Sequence, residues 1–122
     1  MSLRVLLVGF AVAATTSVGA NESIAIRVSP SVSFAPANLT VRTIVDPDAA
    51  NRAMEIVADS ADFYRSSAVP LDGDHAPKTA LFEFRSLPPG EYRVTAVVLG
   101  ADGRRRGTAS TQVKVVDAGT QD

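Results

Sequence analysis

The sequence predicts an all-β fold, a two-sheet antiparallel sandwich of seven strands joined in Greek-key fashion. Three observations carry that expectation. From Ser23 onward, apolar residues recur with period two, the strand period, in one short segment after another. Proline, glycine and aspartate separate those segments at spacings near ten residues, as in sandwiches (roughly 8–12). The chain has 122 residues, room for a single domain with one core.

The segments follow in order. IAIRVS (24–29) sets Ile24, Ile26 and Val28 on one face, and Pro30 then interrupts the ladder. NLTVRTIV (38–45) sets Leu39, Val41, Thr43 and Val45 against Asn38, Thr40 and Arg42. TALFEF (79–84) aligns Ala80, Phe82 and Phe84 against Glu83. YRVTAVVL (92–99) puts Tyr92, Val94, Ala96 and Val98 on one side, and TASTQVKVV (108–116) aligns Thr111, Val113 and Val115 against Gln112 and Lys114.

Residues 46–67 admit two readings. Asp46 before Pro47 resembles an N-cap with proline at the first helical position, and Ala50, Ala53, Met54, Val57 and Ala61 fall at helical spacing. The strand reading turns Met54, Ile56 and Ala58 inward and Glu55 and Asp59 outward. It places a turn at Ser60 and Ala61 and an edge strand through Phe63, Tyr64 and Arg65. Strands are preferred, because a helix inserted here would cover a sheet face that the other sheet needs.

The first twenty residues, MSLRVLLVGFAVAATTSVGA, have a positive residue at Arg4, an apolar run from Val5 to Ala14 and small residues at Val18, Gly19 and Ala20. That is the pattern of a secretory signal peptide cleaved after Ala20. Its run is about half of the ~20 residues a bilayer span requires. The expected organisation is therefore a signal peptide (1–20), a sandwich domain (21–117) and a short polar tail (118–122), in a secreted or periplasmic protein with no membrane span after cleavage. Ten arginines, two lysines and abundant alanine read as the composition of a GC-rich bacterial genome.

There is no cysteine, so the core must hold without staples. The formal charge is −1, and −2 once Arg4 leaves with the signal peptide. So small a charge argues against nucleic acid as a partner, which needs concentrated basic surface.

At LPPGEYRV (87–94) the sequence meets a family. A leucine, a Pro/Gly turn and a tyrosine two residues before an inward apolar residue resemble the tyrosine corner of immunoglobulin-like and fibronectin type III domains. The resemblance implies that Leu87 plugs the base of the core, that Pro88, Pro89 and Gly90 form the turn, and that Tyr92 hydrogen-bonds to upstream backbone. Val94 then stands where an antibody domain has its second cysteine, with Met54 and Ile56 filling the space of the missing tryptophan. A similar phrase occurs in transthyretin-like domains, which are sandwiches of different strand order.

Catalysis finds little support, and no enzyme is expected. His75 is the one histidine, and no serine near it carries a nucleophile elbow or a Gly-rich oxyanion loop. In LDGDHAPK (71–78), Asp72 and Asp74 lie on one connection, while Asp46 and Asp48 lie on another. In a fibronectin-like layout both emerge at one end, where four carboxylates could take calcium. The spacing is not that of an EF-hand loop, and aspartate also serves turns by local hydrogen bonding. That plainer reading is preferred, so no cofactor is expected.

GADGRRRG (100–107) is a hairpin tip with a strong Asp102-Gly103 turn signal, followed by Arg104, Arg105 and Arg106, the densest charge in the chain. Such a tip is either simply solvated or a ligand-binding loop that shares its end with the acidic connections, and there the arginines could instead pair with the aspartates. Asn38-Leu39-Thr40 matches a glycosylation acceptor but also suits an outward strand position. Phe63, Tyr64 and Arg65 could form a stacking platform, although edge aromatics more often pack on their own sheet. The expected role is an exported noncatalytic module that binds protein or acts as a spacer. The alternative is a transthyretin-like or carbohydrate-binding accessory domain.

Overall fold

A computed structural model describes residues 24–117. The signal-peptide and tail expectations concern residues outside that range. Eight strands occupy it, one more than the sequence led us to expect: β1 (Ile24–Ser29), β2 (Val32–Phe34), β3 (Ala37–Val45), β4 (Ala53–Asp59), β5 (Tyr64–Pro70), β6 (Thr79–Leu87), β7 (Gly90–Leu99) and β8 (Arg105–Val116). The additional strand is β2. Only three residues long, it runs parallel to β8, opposing Val32 to Lys114 and Phe34 to Val116, and a segment so short shows no periodicity in sequence.

One sheet has the order β1-β3-β6, the other β2-β8-β7-β4-β5. After Pro30 the chain crosses from the first sheet to the second. The second strand of the Greek key, β3, lies beside β6, and β4, β7 and β8 stand in a row, which is the immunoglobulin-like arrangement. This order sets the transthyretin-like alternative aside. The stretch that could have been helical is the β4–β5 hairpin, with Asp59 opposite Tyr64 and Ala53 opposite Pro70. Tertiary demand decides the matter. Between β5 and β7, β4 must bury Met54, Ile56 and Ala58, and all three are at most 1% exposed.

The core is the sum of the alternating inner faces. Leu39 and Val41 from β3, Phe84 from β6, Val94 and Ala96 from β7, and Val113 and Val115 from β8 are all buried. Each large aliphatic side chain among them contributes about 1.5–3 kcal/mol relative to exposure. Thr43 is buried with them, its hydroxyl donating to the Ala80 carbonyl at 3.4 Å. Among the described residues no buried side-chain nitrogen or oxygen lacks a hydrogen-bond partner, and no helix is long and apolar enough to cross a membrane.

The LPPGEYRV turn closes the base of the sandwich. The Tyr92 hydroxyl donates to the Pro88 carbonyl at 2.7 Å, Leu87 is fully buried, and Phe63 meets the Tyr92 ring edge-on at 6.2 Å. Gly90 allows a close approach here, since a Cβ at this position would lie 3.3 Å from the Ser60 side chain. Burial raises the Tyr92 pKa, against smaller opposing effects of a hydrogen bond with Ser60 and the charge of Arg65.

Asn38 is more than an outward strand position. Its side-chain oxygen accepts the Ser86 N–H at 3.0 Å, where β3 is irregular between Ala37 and Leu39 and Ser86 has φ 59°. The bond holds a non-glycine residue in a left-handed conformation that such residues seldom adopt.

Candidate functional site

Strand direction gathers three connections at the end opposite Tyr92: 46–52 between β3 and β4, 71–78 between β5 and β6, and 100–104 between β7 and β8. Their centre is Asn51, a residue that no sequence motif singled out. It is 5% exposed. Its side-chain oxygen accepts from Arg106 Nε at 2.9 Å, and its amide nitrogen donates to the Asp46 carbonyl at 3.4 Å. Its main-chain carbonyl accepts from the Gly73 N–H at 3.2 Å and from Arg52 Nη1 at 3.1 Å. One residue thus ties the β3–β4 and β5–β6 connections to the start of β8 beside the β7–β8 tip. The only hint in the sequence is a lone asparagine just before an inward apolar alternation.

Gly73 was missed as well. It opens a short 3-10 turn (Gly73–His75) with φ +53°, and a Cβ there would lie 3.1 Å from Arg52 Nη1 and 3.2 Å from the Ala49 carbonyl. Only glycine combines that backbone with that proximity.

The acidic residues are dispersed. Asp48 Oδ1 accepts the Ala50 N–H at 2.8 Å and faces Arg106 Nη2 at 3.3 Å. Asp46 faces Lys78 at 3.6 Å, and Asp74 faces His75 at 3.4 Å. The Asp72 carbonyl accepts the His75 N–H at 2.8 Å. The four-carboxylate grouping weighed as a calcium site is not assembled: among the described residues no three His, Cys, Asp or Glu side chains gather to hold a metal. A turn bond or a separate cation engages the side chains of Asp46, Asp48 and Asp74, as turn aspartates commonly do.

The three arginines divide. Arg106 is structural, bonded to Asn51 and paired with Asp48. Arg104 is 83% exposed in its side chain and pairs only within its own hairpin, with Asp102 at 3.2 Å. Arg105 is exposed and makes no ion pair among the described residues. The tip is closed by its own hydrogen bonds. Gly103 N–H donates to the Gly100 carbonyl at 3.0 Å, Gly100 N–H to the Arg104 carbonyl at 2.9 Å, and Arg104 N–H to Asp102 Oδ1 at 3.0 Å, with Gly103 at φ +81°. Beside it lies an open depression of about 680 Å³ that brings Arg52, Arg104, Arg105 and Arg106 together with a single acid, Asp102.

The aromatic platform does not form, in line with the preferred packing of edge aromatics on their own sheet. Phe63 turns toward Tyr92, the Arg65 guanidinium lies 5.1 Å from the Phe63 ring centroid, and Tyr64 alone of the two aromatics is exposed.

No family model matches the chain, and neither does any curated protein. Solved structures similar to it share its fold at low identity. A superoxide reductase (neelaredoxin) from Ignicoccus hospitalis aligns over 83% of this chain and 86% of that one, with TM-score 0.57 and 15% identity. A family 76 glycoside hydrolase from a bovine Bacteroides thetaiotaomicron strain matches over 75% of this chain but 20% of its own, with TM-score 0.54 and 16% identity. The PKD domain of an M14-like peptidase from a Thermoplasmatales archaeon aligns over 80% of this chain and all of its own, with TM-score 0.52 and 12% identity. These likenesses concern architecture, and sandwiches of this kind host many unrelated roles.

Proposed function

We propose that this chain is an exported, noncatalytic immunoglobulin-like module that binds a protein partner through its apical arginines. One observation carries the reading. Arg106 anchors the hairpin to Asn51, whereas Arg104 pairs only with Asp102 of its own hairpin and Arg105 makes no ion pair among the described residues. Guanidinium groups held on a hydrogen-bonded loop suit bidentate recognition of carboxylates, so the partner surface is acidic. Export rests on the pattern of residues 1–20.

The test is capture of partners from the extracytoplasmic fraction with the purified protein, beside an Arg104→Ser/Arg105→Ser variant. A partner held by the parent, released by salt and lost by the variant at unchanged thermal stability is the expected result. Equal capture by both proteins would sink the apical assignment, and no capture at all would favour a spacer. A carbohydrate-binding role is the second reading; with Phe63 turned inward it rests on Tyr64, and silence on a glycan array with and without calcium would count against it.

A further inference from the structure

A second opening lies on the side of the sandwich; no arginine lines it, although Asn51 and Gly73 of the apical connections do. It is a cavity of about 260 Å³ walled by Val45, Met54, Val69, Leu71, Ala80 and Phe82, between the edge strands β5 and β6. A cavity near 150 Å³ already admits benzene, so this one has room for an aliphatic or aromatic side chain.

The edge beside it can form a ladder. Val45 N–H donates to the Lys78 carbonyl at 2.8 Å, and the register opposes Thr43 to Ala80 and Val41 to Phe82. Bonded pairs alternate in antiparallel strands, so Ala80 and Phe82 direct their N–H and C=O groups to β3. Thr79, Leu81 and Glu83 direct theirs to the unpaired edge. Further along in the same phase, the Arg85 carbonyl does face outward, and Arg65 Nη1 reaches across from β5 to bond it at 2.8 Å. That bridge crosses the gap between β5 and β6 outside the cavity lining, and the main-chain edge from Thr79 to Glu83 has no strand partner among the described residues.

Across the gap, β5 is the poorer template. The Leu71 N–H bond to the Arg52 carbonyl, 2.9 Å, sets its phase and turns Pro70, which has no N–H, to the edge. In the constant-type immunoglobulin arrangement a fourth strand flanks the equivalent of β6; here the chain passes from β5 directly to β6.

We infer that the β6 edge from Thr79 to Glu83 receives an extended segment of a partner protein by strand addition. Its residues opposite Ala80 and Phe82 would be apolar and enter the cavity. The edge supplies affinity through main-chain bonds and the cavity supplies sequence preference, while Leu81, 67% exposed, extends the apolar contact on the outer side. The inference is independent of the apical reading, since the two surfaces share no arginine.

The probe is a soluble peptide of about eight residues alternating valine with threonine between terminal lysines, added to the purified protein and followed by amide hydrogen exchange. Saturating peptide should slow exchange at Leu81 and Glu83 and leave Ala68 unchanged. Ala80→Phe, which fills the cavity, should weaken binding by about tenfold or more, the loss of one anchor. Leu81→Pro removes an edge N–H that β3 does not use and should abolish the protection; if it unfolds the domain, Ala80→Phe carries the test. Arg104→Ser, which by the apical reading weakens the other surface, should leave this peptide's binding and the edge protection unchanged. No binding, or binding without protection at the edge, overturns the proposal. So does response to toluene without edge protection, which would mark a small-molecule cavity, or concentration-dependent edge protection without peptide, which would mark self-association.

Discussion

Arg106 and Asn51 stand fifty-five positions apart in the chain, and the Arg106 Nε donates to the Asn51 side-chain oxygen at 2.9 Å. That bond, with Asp48 on the other side of the guanidinium, fastens the β7–β8 hairpin to the β3–β4 connection. Asn51→Ala removes two side-chain bonds at a buried position and leaves Arg106 without its neutral partner, so it should cost about 1–3 kcal/mol. Asn51→Asp keeps an acceptor for Arg106 and should cost less. Urea unfolding of both variants measures the difference.

The arginines should separate in the same assay. Arg106→Ser should destabilise and should do so more at low salt, because part of its contribution is an ion pair that is partly open to solvent. Arg104→Ser and Arg105→Ser should stay within about 0.5 kcal/mol of the parent, as surface substitutions do. A loss shared equally by all three would mean that the whole tip, rather than its base, is structural.

At the other end, Tyr92→Phe removes the bond to the Pro88 carbonyl while keeping the ring, and should cost about 1 kcal/mol. Any binding at the apical loops should be unaffected. Tyr92 also predicts an alkaline limit. Its folded pKa is raised by burial, so the folded state keeps a proton that the unfolded chain gives up near pH ~10. Stability is therefore full below that pH and falls as pH rises through the folded value. Thermal melts at increasing pH should show a decline steeper in the parent than in Tyr92→Phe.

Gly73→Ala places a methyl group against Arg52 Nη1 and the Ala49 carbonyl in a left-handed backbone. A loss of about 1–2 kcal/mol is expected from the backbone alone, and more if the neighbouring connection cannot move. Gly103, also at positive φ but with nothing within 4 Å of its would-be Cβ, should lose only the backbone part. Comparing the two by calorimetry separates close approach from conformation.

Much of this fold is local and was therefore legible. Period two in Ile24–Ser29, Ala37–Val45 and Gly90–Leu99 marks strands because alternate side chains must face one core. The LPPGEYRV phrase marks the corner because its donor and acceptor, Tyr92 and Pro88, lie only four positions apart. Strand β2 was not legible, since Val32–Phe34 is defined by what it pairs with and both Val32 and Phe34 face solvent.

The arginine tip was visible as composition, but not its division of labour. Which guanidinium anchors and which stands free depends on Asn51, brought to Arg106 only when β4 and β8 flank β7. The same holds for the four aspartates, whose two connections at one end of the fold suggested a shared ion; the side chains of Asp46, Asp48 and Asp74 instead face Lys78, Arg106 and His75. By itself the sequence determined most of the strands, the turns and the corner, because short-range backbone and hydrophobic preferences act within a few residues. Tertiary structure alone decided which connections touch and which strand edge stays open, because those depend on the order in which the strands pair.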